Sequence, residues 1–131
     1  MKIFIIALFL LCVIFSAVAY AGNTYYVAKT GSDSNNCTTA QTIGTPKLTI
    51  ASGLTCLVAG NGDILNIRSG TYVETISNPA GGTSWANAAT IQGYSGDTAL
   101  SVIVRPANAT ATTDVLALKR SSSSYIIFSN L

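Results

Sequence analysis

The chain of 131 residues carries seven basic and five acidic residues and no histidine, for a formal charge of +2. That balance, with no basic stripe, argues against a nucleic-acid partner, and the lack of histidine excludes a Ser-His-Asp or Cys-His centre within it. No phosphate loop or dinucleotide fingerprint occurs.

Lys2 supplies a positive n-region, Ile3 to Phe15 is almost unbroken apolar, and Ala19-Tyr20-Ala21 offers an A-x-A cleavage site. These features predict a secretory signal peptide over residues 1–21 and hence a secreted, extracellular protein. The apolar run is shorter than the ~20 residues a membrane span needs, and no basic stop-transfer flank follows it. No membrane attachment is therefore expected after cleavage. Ala17-Val18-Ala19 is a second possible cleavage site, and Cys12 leaves with the peptide in either case. Loss of Lys2 from the seven basic residues leaves six against five acidic, a formal charge of +1. The rest of the chain is rich in Ser, Thr, Asn, Gly and Ala, which suits short strands joined by turns and a surface meeting neutral polar ligands such as sugars.

Residues 22–62 are expected to form an N-terminal strand, a loop and a capping helix. Tyr25 to Lys29 is aromatic and β-prone, and Thr30 to Gln41 is almost wholly small or polar. Thr45-Pro46 has the form of an N-cap followed by Pro at the first helical position. Ile50, Leu54, Leu57 and Val58 recur at helical spacing as one apolar stripe, and Gly60 to Gly62 closes the helix. Cys37 and Cys56 are an even pair in an exported chain and most simply form one disulfide. It would hold the Gly/Ser/Asp loop against the helix and contribute about 3 kcal/mol. With two thiols and no histidine, a metal site is a poor rival.

From Asp63 the pattern changes to short strands alternating with period two. Leu65 and Ile67 share one face, Asn66 and Arg68 the other. Ser69-Gly70 turns the chain and Tyr72 to Ile76 extends again. Ala89 to Tyr94, Val102 to Arg105, Val115 to Lys119 and Tyr125 to Phe128 follow. Leu65, Thr90 and Val115 recur at even spacing, and Val73, Ile103 and Ile126 form a second series. Two interleaved series predict stacked coils of a solenoid, with residues 63–131 as its first, incomplete coils. Its core would include Leu65, Ile67, Ile91 and Leu116. A β-sandwich competes, since its strands recur at similar intervals. Asn-Gly and Asp-Gly hairpin signals are absent between most strand pairs, which favours the solenoid. The last strand, ending at Leu131, carries no cap, and a truncated chain is the expectation.

The stretch from Asn23 to Tyr72 joins Tyr25-Tyr26-Val27, Gly31-Ser32-Asp33, Pro46 with Thr49-Ile50, Gly62-Asp63 and Gly70-Thr71-Tyr72. In this order they resemble the N-terminal region of secreted right-handed parallel β-helix proteins, the pectate-lyase-like superfamily. The resemblance runs from about Thr24 to Arg105, departs from the usual pattern in the inserted pair Asn61-Gly62, and includes no catalytic motif. It implies an all-β, right-handed parallel β-helix with a short N-terminal capping helix, in a protein that binds or degrades polysaccharide. Such proteins are lyases or glycoside hydrolases, or non-catalytic surface proteins that adhere to glycans. Whether this one is an enzyme stays open, with any active site expected outside these residues and no catalytic residue assigned within them.

The acids are Asp33, Asp63, Glu74, Asp97 and Asp114. Glycoside hydrolysis needs two at suitable separation, which a sequence cannot display. Asp63 and Asp97 lie in Gly-Asp turns, where the side chain can accept from nearby amides. Asp33 sits in the oxygen-rich Gly-Ser-Asp-Ser-Asn-Asn loop. Calcium takes six to eight such oxygens and usually several carboxylates, so Asp33 is either a weak calcium candidate or the cap of its own loop. No other cofactor is implied. Calcium-dependent lyases of the resembled superfamily use a basic residue to take a proton, and Lys119-Arg120 stands at a strand end, as a candidate for that role or as a solvated turn. Trp85, in Gly-Gly-Thr-Ser-Trp-Ala-Asn, either presents its face to a sugar ring or anchors its loop. Asn36-Cys37-Thr38 and Asn108-Ala109-Thr110 are glycosylation sequons.

Overall fold

The computed structural model describes residues 21–98, 101–106, 115–117 and 124–131. The expected signal peptide up to Tyr20, with Cys12, and also Asn108, Asp114, Lys119 and Arg120 lie outside the described residues.

The chain is mostly β, with one short helix. Strands β1 (Thr24–Val27), β2 (Ile64–Ile67), β5 (Ala89–Gly93) and β8 (Ile126–Ser129) form one sheet in that order. Strand β3 (Gly70–Val73) pairs with β6 (Val102–Arg105), and β4 (Ile76–Ser77) pairs with β7 (Leu116–Ala117). Every one of these pairings is parallel. The chain visits the three sheets in turn through β2, β3 and β4, then again in the same order through β5, β6 and β7, before β8 returns to the first. An antiparallel sandwich is thereby excluded for the described residues.

Period-two alternation sets which side chains point inward. Leu65 and Ile67 are fully buried, as are Val27 and Ile91. The register stacks Tyr25, Leu65, Ile91 and Phe128 as one inward row. On the outward side Asn66, Gln92 and Ser129 stand in register, with Gln92 Nε2 donating to Asn66 Oδ1 at 2.9 Å. Tyr26 and Tyr94 meet edge to face, 5.6 Å apart.

The expected even repeat is corrected by the register. Successive rungs of the first sheet are 40, 26 and 37 residues apart, as Asn23–Asp63, Asn66–Gln92 and Gln92–Ser129 show. Leu65 pairs with Ile91 rather than Thr90. Val115 stands beside β4, its carbonyl accepting from the Ile76 amide, and so belongs to another sheet. Ile126 pairs with Ala89, whereas Ile103 pairs with Thr71. Ladders constrain only the strands, so the connections at the surface vary in length without disturbing them. The expected strand from Tyr72 to Ile76 is likewise two strands, broken at Glu74-Thr75, with Tyr72 and Ile76 both buried.

Helix α1 (Ile50–Leu54) lies over Val27 and Leu65, so close at Gly53 that a Cβ there would stand 2.5 Å from Val27 Cγ2. Its N-cap is Thr49, whose hydroxyl accepts from the Ser52 amide, and not the expected Thr45-Pro46. The residues after Pro46 are drawn into strand pairing first: Lys47 donates to the Tyr26 carbonyl and accepts from the Ala28 amide, both at 2.9 Å. The helix is correspondingly short, and Val58 falls off the stripe at 56% exposure. Cys37 and Cys56 are disulfide-bonded with Cα atoms 5.3 Å apart, tying the loop to the residues after α1.

Leu116, expected in the core, is 42% exposed. It lies on β7, beyond which no further rung of that sheet occurs among the described residues. Among the described residues no helix is long and apolar enough to cross a membrane.

Candidate functional site

The acids come first, because any hydrolytic or lyase chemistry would call on them. Asp63 is fully buried and accepts from the Asn23 and Val58 amides and from Asn61 Nδ2. Glu74 reaches the first free amides of α1, at Ile50 and Ala51, where the helix presents unpaired N–H groups. Asp33 Oδ1 accepts from the Leu48 and Thr49 amides while Oδ2 accepts from the Thr49 hydroxyl. Desolvation pushes its pKa up, but the bonds from Thr49 and Leu48 together outweigh it and hold the carboxyl below its usual range. Asp97 accepts from Arg68 Nε and from the Ser69 amide, both at 2.7 Å, and the Arg68 hydrogen bond holds its pKa low.

Each described acid is thus engaged by main-chain amides, Asp33 and Glu74 on successive amides at the start of α1. Among the described residues no group of three or more His, Cys, Asp or Glu side chains could hold a metal. Asp33 brings no second carboxylate to its loop, and this donor set does not fit the oxygen cage calcium takes.

Trp85 lies in a different environment. It opens a 3₁₀ turn, Trp85–Asn87, and its side chain is 70% exposed. The turn is fixed by Asn87, a buried residue the sequence reading passed over. Asn87 Oδ1 accepts from the Thr83 and Ser84 amides at 2.9 and 2.7 Å. Its Nδ2 donates to the Gly60 carbonyl at 3.0 Å and to Thr83 Oγ1 at 2.7 Å. Gly60 sits at φ 75°, a left-handed conformation that glycine adopts without the Cβ penalty. The anchor of the loop is therefore Asn87, which leaves the indole free of that duty. The Ser84-x-x-Asn87 spacing, a capping-box variant, is the signal that could have exposed it.

Tyr125 completes the feature. Its ring meets Trp85 edge to face at 5.2 Å and 89°, while Trp85 stays 70% exposed. Its backbone is left-handed at φ 53°, unusual for a bulky residue and costly by about 1–3 kcal/mol. The Tyr125 carbonyl accepts from both Gly82 and Ala89, and these bonds hold the conformation. An open groove of about 570 Å³ is lined among others by Leu57, Asn78, Gly81, Thr83 and Ser124; neither ring lines it, but Thr83 stands two residues before Trp85 and Ser124 directly before Tyr125. Asn78 is a second left-handed residue, at φ 44°. Strained backbone and exposed aromatic surface thus fall at one place.

A second groove lies between Lys29, Thr30, Arg68, Ser69, Asp97 and Thr98. Its charges are largely matched: Arg68 is ion-paired with Asp97 and also stacks over Tyr94 at 5.6 Å, and Lys29 Nζ lies 5.2 Å from the Tyr72 ring. That groove joins successive rungs.

No protein-family profile matches the chain, and no curated protein matches it. A solved structure described as the complex of XylC with xylose is similar, with a TM-score of 0.49 and 30% sequence identity. The similarity covers 62% of this chain and 11% of the XylC chain, so this chain spans a small part of that protein's length.

Proposed function

We propose that the chain is the N-terminal cap and first coils of a secreted right-handed parallel β-helix protein that binds or degrades polysaccharide, and that Trp85 contacts the sugar. The observation that carries this reading is the exposed Trp85–Tyr125 pair, held rigid by Asn87 beside an open groove. An aromatic face presented without conformational cost suits the C–H surface of a pyranose ring. The repeated winding through three parallel sheets under a disulfide-tied helix supports the β-helix. The disulfide also suits an oxidising, extracellular compartment. Within this reading no catalytic role falls to the described acids, because each holds main-chain amides in place. The same engagement favours, as a second reading, a non-catalytic β-helix that adheres to glycans.

The test is to export the protein, confirm its fold, and titrate it with a panel of neutral and uronate oligosaccharides while following Trp85 fluorescence. Release of unsaturated products and reducing ends is assayed in parallel. Binding lost in Trp85→Ala when followed by calorimetry, with no turnover, is the expected result. Failure of every glycan to bind would end the sugar-contact reading. Sustained turnover abolished by changing Asp63, Asp97 or Lys119 would place an active site within this chain.

A further inference from the structure

We infer that the site at Trp85 takes an extended neutral glycan rather than a uronate-containing one. The inference rests on the sugar-contact reading above and adds the chemical class of the ligand. The groove beside Trp85 continues into a second of about 300 Å³, lined by Ala51, Thr75 and Ser77, and the two share Leu54, Thr55 and Asn78. The channel is thus extended, and its Thr83 and Ser124 end is the one next to the aromatic pair in the chain. No Lys, Arg, Asp or Glu lines either part.

Most charged side chains of the described residues are held elsewhere, and Arg105, exposed on β6 with its carbonyl accepting from the Glu74 amide, lines neither part. Lys29, Arg68 and Asp97 line the other groove, Asp63 is buried, and Lys47 is buried with Nζ donating to the Asp33 carbonyl. Glu74 precedes Thr75, but its carboxylate is turned to the Ile50 and Ala51 amides.

A uronate carboxylate entering this channel would lose hydration and find no cation to pair with. Its nearest charged neighbour along the chain, Glu74, has the same sign. A neutral sugar meets no such penalty. Its hydroxyls can exchange water for the hydroxyls and amide of Thr55, Thr83, Ser124 and Asn78, while its ring stacks on the indole. Leu54 and Leu57 form an apolar floor for the C–H faces of the sugar.

The experiment compares hexasaccharides of glucose, mannose and xylose with oligogalacturonate and oligoguluronate of equal length. Trp85 is the sole tryptophan, so its fluorescence reports directly from the site. At least one neutral hexamer should bind about tenfold or more tighter than either uronate. Raising the salt from low to high should change that affinity by less than about twofold, since no ion pair contributes. Calorimetry on Trp85→Ala should show the neutral affinity reduced by about tenfold or more. Thr83→Lys, at an exposed position, gives up the Asn87 Nδ2 bond to its hydroxyl but keeps its amide bond to Asn87 Oδ1, and should raise uronate binding. Tighter binding of a uronate, dependent on Trp85 and weakened by salt, would overturn the neutral assignment while leaving Trp85 as a sugar contact. If Thr83→Lys leaves uronate binding unchanged, the channel is not where the chain lies. Absence of any binding would remove the sugar-contact reading and this inference together.

Discussion

Replacing Asn87 with Ala removes a side chain that ties the Trp85 turn to a residue 27 positions earlier. Five groups lose a partner: the Thr83 and Ser84 amides, the Thr83 and Ser84 hydroxyls and the Gly60 carbonyl. Thr83 and Ser84 are exposed, so their groups largely recover by bonding to water. The Gly60 carbonyl and the slot vacated by a residue only 6% exposed do not recover as well. Two unrecovered interactions at about 1 kcal/mol each give a loss of ~2 kcal/mol, or a fall in Tm of roughly 10 °C for a domain of this size. Denaturant melts followed by far-UV circular dichroism measure the loss, and fluorescence anisotropy measures the freedom gained by Trp85. The ladders should persist while anisotropy falls and glycan affinity drops. Asn87→Asp should do nearly as badly, because it sets an oxygen against the Gly60 carbonyl. A loss under ~0.5 kcal/mol with unchanged anisotropy would show that something other than Asn87 holds the turn, and would remove the argument that Trp85 is preorganised.

Asp63→Asn replaces an acceptor of three N–H bonds with a group carrying its own donors, and should cost about 3 kcal/mol by urea melts. Burial pushes the Tyr72 pKa up to about 12, with the charges of Glu74 and Asp97 adding to it. The folded protein thus favours the neutral phenol: stability is complete below pH 10 and falls as pH rises towards 12, and Tyr72→Phe should flatten that dependence in melts across the range. The pKa values of Asp97 and Asp33 move the other way. Both lie below 3.8 in the folded chain, so their contribution is present above that pH and lost as pH falls through the folded values; Asp97→Asn should remove part of this acid sensitivity. Exported, non-reduced protein should have a mass two hydrogens below the dithiol form, and Cys37→Ser should loosen the loop of residues 30–46 while the ladders of Leu65, Ile67 and Ile91 persist, as hydrogen exchange would show.

What the sequence determined by itself is local. Alternation at Leu65 and Ile67 specified a strand with one buried face, because side chains on a strand point to opposite sides whatever lies beyond it. Pairing of Cys37 with Cys56 was legible because the one other cysteine, Cys12, lies in the apolar run expected to be removed. The Gly-Asp turn at Asp63 announced a carboxylate bonded to nearby amides, two of which, at Val58 and Asn61, it holds through backbone and side chain respectively. The parts decided only by tertiary structure involve residues far apart in the chain. Register is one: Ile126 could extend any of three sheets, and only packing on Ala89 and Ile91 selects the first. Helix α1 starts at Ile50 rather than Pro46 because Lys47 is claimed by β1, a competition that no local propensity contains. Glu74 looks like a free acid until α1 is seen to lie within its reach. The candidate site follows the same rule. Trp85 was visible as an aromatic in a polar loop, but whether it anchors or presents depended on Asn87 finding Gly60 and on the strained Tyr125 arriving from 40 residues later in the chain. Hydrogen bonds and ring contacts across such separations form only when the parallel strands pair, so their residues carry no signature until the fold brings them together.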